Sequence, residues 1–175
     1  MTFTGLSHRD TPGYKALRQG RMTTAGSAYH LRTSVCARDD VVLDGAVARA
    51  VVRSLLDWQD ASRFLLIALV VMPDHVHVLG VLLGARTLAT TFGRWKGSSS
   101  LEINRLIGRS GSLWQPGFYD HRIRKEEDIS AIGRYIEHNS VRAGLAPCAE
   151  RYPFSSALPS LGSKMRGRGW LAGEE

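Results

Sequence analysis

The chain has 175 residues, 43% of them hydrophobic, enough to bury one core and too few for two comfortable domains. Its 23 Lys and Arg against 16 Asp and Glu give a formal net charge of +7, an excess that points to a polyanionic partner, nucleic acid before membrane, since no basic amphipathic helix stands out. Cys36 and Cys148 form no CxxC pair, no run is long enough to span a membrane and Met1–Arg21 lacks a signal peptide's apolar segment, so the expectation is a reduced, cytoplasmic, nucleoid-associated protein without disulfide framework or zinc ribbon.

Residues 1–25 read as a basic N-terminal arm, 26–146 as the single folded domain and 147–175 as a basic tail rich in Pro, Ser and Gly. Ala28–Cys36 alternates and carries β-branched residues, the pattern of a first strand. Asp44 then caps a helix to about Trp58, with Val47, Ala50, Val51, Leu55 and Trp58 at helical spacing. Phe64–Val71 and His75–Leu83 are apolar strands joined through Pro73-Asp74, a tight hairpin. A second helix is expected from Thr87 to about Ile107, burying Leu88, Phe92, Trp95, Leu101 and Leu106, with Gly97–Ser100 weakening its middle. Leu113–Arg124 reads as a fourth, aromatic strand, placed at an edge or bulged by Pro116 and Gly117. Glu126, Glu127 and Asp128 sit in the expected first turn of a third helix that runs to Asn139 or Arg142 and stops at Gly144. This order predicts an α+β fold, a ferredoxin-like antiparallel sheet (βαββαβ) with helices on one face plus a C-terminal helix. The other face is left free for a ligand.

In an extended strand, residues two apart share a face, so His75 and His77 project together while Val76 and Val78 project oppositely. Two neighbouring imidazoles suit a metal ion. In the third helix Tyr135 and Asn139 are four apart and share a face. Each feature alone also has a plain structural reading, as a satisfied strand histidine, a core tyrosine or a helix-terminal asparagine.

Together they match one family. The chain resembles the single-tyrosine HUH transposases (U is a hydrophobic residue), most closely the REP-associated tyrosine transposases. The resemblance spans Ala28 to Ser156 and rests on Tyr29-His30-Leu31, Val71-Met72-Pro73-Asp74-His75-Val76-His77, Leu113-Trp114-Gln115 and Phe118-Tyr119-Asp120-His121. It continues through Tyr135-Ile136 with Asn139, Val141-Arg142-Ala143-Gly144-Leu145 and Tyr152-Pro153-Phe154-Ser155-Ser156. Two departures stand out: Asp74 where the family usually has Asn, and Asn139-Ser140 where it usually has Asn-Pro.

The resemblance implies a metal-dependent endonuclease and strand transferase acting on single-stranded DNA. Tyr135 is the implied nucleophile, forming a 5′-phosphotyrosine with a free 3′-hydroxyl, and His75, His77 and Asn139 are the implied metal ligands. Mg²⁺ or Mn²⁺ fits two nitrogens and one oxygen. No general base is assigned; His121 and Asp74 are candidates. The expected partner is a hairpin from repetitive extragenic palindromes, bound by a monomer or homodimer. A phosphate path is expected from Arg94, Lys96, Arg105, Arg122, Arg124, Lys164, Arg166 and Arg168, with Trp114, Phe118 or Tyr119 as surfaces for unpaired bases. The alternatives are a non-cleaving binder of palindromic DNA and a metal-dependent phosphodiesterase or oxygenase. A two-histidine, one-carboxylate site is disfavoured because a regular strand turns Asp74 away from His75.

Overall fold

The structure, a computed structural model, describes residues 23–36, 43–62 and 64–166. Its elements in order are β1 (Ala28–Ser34), α1 (Gly45–Ser62), β2 (Phe64–Val71), β3 (His75–Leu82), α2 (Leu88–Leu106) and β4 (Tyr119–Arg122). There follow α3 (Ile129–Glu137), the single turn α4 (Asn139–Arg142), a 3-10 turn at Ala149–Arg151 and α5 (Pro159–Arg166). The sheet order is β2-β3-β1-β4, every neighbouring pair antiparallel. This is the ferredoxin-like arrangement expected from the βαββαβ order.

Alternation along the strands divides the side chains between two faces. Leu31, Val76 and Val78 meet Val51, Leu55, Phe92 and Trp95 of α1 and α2 in the main core. In β2 the pairing skips Ile67, a bulge between Leu66 and Ala68. The extra residue resets the alternation, so Leu66 and Leu69 both face the main core while Ala68 and Val70 face the other side. Gly80 lies where a Cβ would run into the Phe64 ring and the Leu65 carbonyl, a close approach that no larger residue accommodates.

The second face is covered only in part. Ala68, Val70, Met72 and Leu79 pack with Ile136 of α3 and Tyr152 in a smaller cluster. Helices therefore lie on both faces, and α3 takes half of the one expected to be free. The Asp128 carboxylate caps α3 by accepting from the Ser130 and Ala131 amides. Glu126, Glu127 and Asp128 thus precede the helix instead of forming its first turn.

Residues after Pro147, expected as a tail, close the outer edge of β2 instead. Val71 N–H donates to the Phe154 carbonyl at 2.9 Å and Ser156 N–H donates to the Leu69 carbonyl at 2.9 Å. Tyr152 Oη donates to the Val71 carbonyl, and Leu161 and Met165 of α5 enter the main core. An open strand edge is an aggregation hazard, and this strap satisfies it. Ser156 Oγ also donates to Glu137 Oε1 at 2.6 Å, tying the strap to the end of α3.

Two further expectations differ, the buried positions of α2 and the length of the fourth strand. Leu101 and Leu106 are each 54% exposed, and Ile103 and Asn104 take the buried positions, because the helical phase set by Leu88, Phe92 and Trp95 continues through Ser99 to Ile103. The Gly97–Ser100 stretch does not interrupt α2: Ser98 and Ser99 donate to the Trp95 carbonyl. The fourth strand is only Tyr119–Arg122, since Pro116 and Gly117, the latter at φ 73, bend the chain before it.

Candidate active site

Cross-strand register gathers the polar residues of the second face. His77 pairs with Arg32 and His75 with Ser34. On the other side of β1, Arg32 pairs with Tyr119 and His30 with His121. Directly paired residues project to the same face, so His75, His77, His30, Arg32, Tyr119 and His121 share the face of the sheet on which α3 packs, running from β3 across β1 to β4.

The two histidines of the hairpin are held from behind. His75 Nδ1 lies 2.6 Å from Asp74 Oδ1, and His77 Nδ1 lies 2.9 Å from His30 Nε2. Their remaining nitrogens converge, with His75 Nε2 at 3.1 Å from His77 Nε2. Two nitrogens each about 2.1 Å from one ion at right angles lie about 3.0 Å apart, so this spacing fits a shared divalent cation. Asp74 was expected to turn away from His75. Its carboxylate instead folds back from the turn onto the outer nitrogen, where it orients the ring.

Burial holds His77 and His30 neutral. His77 is pushed down to about 3 by burial first, then by His75, His30, Arg32 and Arg142. His30 is pushed down to about 4 by burial, His121 and Arg32. Neutral imidazole is the ligand form, so His77 needs no deprotonation to bind a metal near pH 7. Partial burial pushes the Asp74 carboxyl up, but the hydrogen bond and charge of His75 with Arg32 outweigh it and leave it below the ordinary carboxylate range.

Tyr135 lies on α3, 52% exposed, with the Arg142 guanidinium 4.8 Å from its ring centroid. The charge of Arg142 also contributes, as the smallest of the causes, to lowering His77. Asn139 opens α4 after a one-residue break at His138. Its amide nitrogen donates back to the carbonyls of Tyr135 at 3.1 Å and Ile136 at 3.0 Å. That leaves Oδ1 as the end suited to a cation; among the described residues no hydrogen bond joins Asn139 to His75 or His77. Gly144, at φ 69, then terminates the segment.

The expected phosphate path is not gathered in one place. Arg94 and Arg105 are exposed on α2, which packs against the face opposite the histidines. Lys96 Nζ donates to the carbonyls of Gln115 and Gly117, and burial lowers it to about 8; it staples the loop before β4. Arg122 pairs with Tyr29, on the main-core side of the sheet, and Arg124 is exposed just beyond β4. Lys164 is exposed on α5, Arg166 ends that helix, and Arg168 lies outside the described residues. Trp114 is buried, donating to Ser99 Oγ, and Phe118 packs on Phe92, so of the three aromatics Tyr119 alone is largely exposed. His121 Nε2 lies 2.8 Å from Glu127 Oε1.

His30, Arg32 and Arg142 were not singled out for the site from the sequence. The alternation of β1 puts His30 and Arg32 on one face, but only the register with β3 shows that this is the face of His77. For Arg142 the spacing from Tyr135 crosses the break between α3 and α4, so helical spacing alone does not bring it over the ring.

The family described as "Transposase IS200 like" matches residues 23–139. A Haemophilus influenzae protein named as a REP-associated tyrosine transposase is 30% identical over 100 residues, covering 51% of this chain and 57% of the relative. The matched region thus spans little more than half of that relative's length. A REP-associated tyrosine transposase solved bound to a REP hairpin superposes with a TM-score of 0.66 at 21% identity, covering 88% of this chain and 90% of the other. A Deinococcus radiodurans chain described as a transposase gives a TM-score of 0.50 at 27% identity, over 69% of this chain and 96% of the other. With two thirds of its length matched by the family and the same fold in these relatives, the chain belongs to the IS200-like transposase family.

Proposed function

We propose that this transposase-family chain is a metal-dependent endonuclease and strand transferase that cuts and rejoins single-stranded, hairpin-forming DNA through Tyr135. The observation that carries the reading is the convergence of His75 Nε2 and His77 Nε2 at 3.1 Å on the sheet face against which α3, the helix that carries Tyr135, packs. His75, His77 and Asn139 Oδ1 would hold the cation, Mg²⁺ or Mn²⁺. When bound it would supply positive charge to a non-bridging phosphate oxygen as negative charge builds there.

The chain's own residues supply the rest. Tyr135 Oη attacks phosphorus, the bond to the 3′-oxygen breaks and the 5′-phosphate stays on the tyrosine. The phenol gives up its proton and the departing 3′-oxygen gains one, leaving a free 3′-hydroxyl. The phosphotyrosine conserves the phosphodiester for rejoining by the reverse attack. Arg142, against the ring face, holds Tyr135 and places positive charge where phenol and phosphate meet. Arg32, between His77 and Tyr119, gives a second phosphate contact, and exposed Tyr119 gives a stacking surface for an unpaired base. A hairpin substrate is supported by the REP hairpin bound to the structural relative. Asp74 and His121 are both engaged by neighbours, His75 and Glu127, which favours orienting roles over that of a general base.

A labelled single-stranded hairpin incubated with Mn²⁺ or Mg²⁺, beside Tyr135→Phe, tests the reading on a denaturing gel. A slow protein–DNA band that needs metal and vanishes in the variant is the expected result. Binding without cutting or linking, across hairpins from the host's palindromic repeats, would instead make the chain a non-cleaving binder.

A further inference from the structure

The helix that carries Tyr135 is docked on the sheet through a single stripe. Ile136 is its one fully buried side chain, with Ile129 and Ile132 partly buried beside it against Ala68, Val70, Met72 and Leu79. Gly133, also buried, lets the backbone come close: a Cβ there would already touch Ala68 and Leu79, at 3.7 and 3.8 Å. Contacts along one stripe act near a single line, about which a helix can rock. Apolar burial has no direction, so it holds α3 to the sheet without fixing its roll.

Half-buried Glu137 supplies the directional contact. Its Oε1 accepts from Ser156 Oγ at 2.6 Å, a nearer acceptor for that hydroxyl than the Leu69 carbonyl at 3.2 Å. Ser156 is itself locked to β2: its N–H donates to the Leu69 carbonyl, and its Oγ accepts from the Leu69 amide at 3.0 Å. A helix advances about 100° per residue, so Glu137 stands about 200° from Tyr135, across the axis. A pull on Glu137 therefore turns Tyr135 the other way. Side-chain ends lie about 5–6 Å from the axis, so a roll of about 10° carries them about 1 Å, a displacement that can cost about a hundredfold in rate. Asn139 moves with the same end, since its amide donates to the carbonyls of Tyr135 and Ile136. From this geometry we infer that Glu137 is the positioning residue of the nucleophile: gripped by Ser156, it sets the roll of α3 and so the aim of Tyr135. The strap that closes the edge of β2 thus also steers the tyrosine.

This inference rests on the proposed role of Tyr135, and its test keeps the two apart. Glu137→Ala removes the brace, whereas Glu137→Gln keeps an oxygen for the Ser156 hydroxyl. Amide hydrogen exchange on the full chain, without DNA or metal, reads the brace alone. The amides of His138, Arg142 and Ala143, which close the end of α3 and α4, should exchange about tenfold faster in Glu137→Ala, with α1 and α2 unchanged. With a labelled single-stranded hairpin and Mn²⁺, adduct formation at saturating DNA should slow about ten- to hundredfold in Glu137→Ala, at unchanged hairpin affinity. Glu137→Gln should stay within about threefold of the parent in both readouts. Ser156→Ala should slow the adduct step similarly and the double variant no further, as expected when two residues share one contact. Parental exchange in Glu137→Ala overturns the inference, and so does a parental adduct rate in a variant whose exchange has quickened. Lower hairpin affinity with a parental rate at saturation would also overturn it, making Glu137 part of the DNA surface. Quickened exchange in Glu137→Ala of a chain whose parent forms no adduct would uphold the brace while sinking the nuclease reading.

Discussion

The two faces of the sheet are built from alternate residues of the same strands and serve opposite ends. On one face Leu31, Val76 and Val78 lie under α1 and α2 with Phe92 and Trp95 in a closed apolar core. On the other, the alternate positions carry His30, Arg32, His75 and His77, and only the β2–β3 half is covered by α3. The first face spends its side chains on burial and the second leaves polar groups where a ligand can reach them. A slip of one residue in register would exchange the two sets, so the core that stabilises the sheet also places the site.

Substitutions should separate the faces, and the largest effect belongs to the closed one. Trp95 is buried against Phe92 and Trp114 and donates to Ser54 Oγ. Trp95→Ala should cost about 3–5 kcal/mol in chemical denaturation. Tyr135→Phe, on the half-exposed side of α3, should leave stability within about 0.5 kcal/mol while abolishing any covalent adduct.

On the open face, Arg32→Gln or Arg142→Gln in a Tyr135→Phe background should each lower affinity for a single-stranded hairpin about tenfold at low salt. Each should also reduce the slope of log affinity against log salt by about 0.7, one phosphate's share on single strands. Arg94→Gln and Arg105→Gln, on the far side of the sheet, should change neither. Equal losses from all four would mean that DNA wraps the whole domain and that the faces are not functionally distinct.

Tyr152→Phe tests the strap that joins them. Losing its hydrogen bond to the Val71 carbonyl should cost about 1 kcal/mol, read from the same denaturation curves. A last effect is read against pH and concerns Lys96, whose ammonium burial lowers from 10.5 to about 8. Because the unfolded chain holds that proton more tightly, stability should rise as pH goes from about 8 towards 10.5, whereas below about 8 the cost of the buried charge is constant. Lys96→Met should flatten that rise relative to the parent chain; parallel curves would show that the ammonium is effectively solvated.

Much of this was legible in the chain itself. Periodicity and turn chemistry located the hairpin around Pro73-Asp74 and a long second helix, which runs from Leu88 to Leu106 with Thr87 and Ile107 at its caps, because those signals are local. The order of elements was enough for the ferredoxin-like topology, and the joint motifs were enough for the family. The paired projection of His75 and His77 followed from strand geometry alone. Legibility failed where a residue's role depends on a distant neighbour. Lys96 reads as a free cation until two carbonyls of the loop at Gln115–Gly117 accept hydrogen bonds from it. Leu101 and Leu106 read as core until packing sets the phase of α2. The segment Tyr152–Ser156 reads as a tail until it finds the unpaired edge of β2.

The sequence by itself thus determined the elements, their order and the residues able to do chemistry, since these depend on spacings of a few residues along one chain. Only the tertiary structure decided which histidine stands behind which, that Arg142 lies over Tyr135, and that Arg32 shares the face of His77. His30 and His77 are 47 residues apart, and Tyr135 and Arg142 lie on two helical segments separated by a break; cross-strand register and helix docking, not local pattern, bring such positions together.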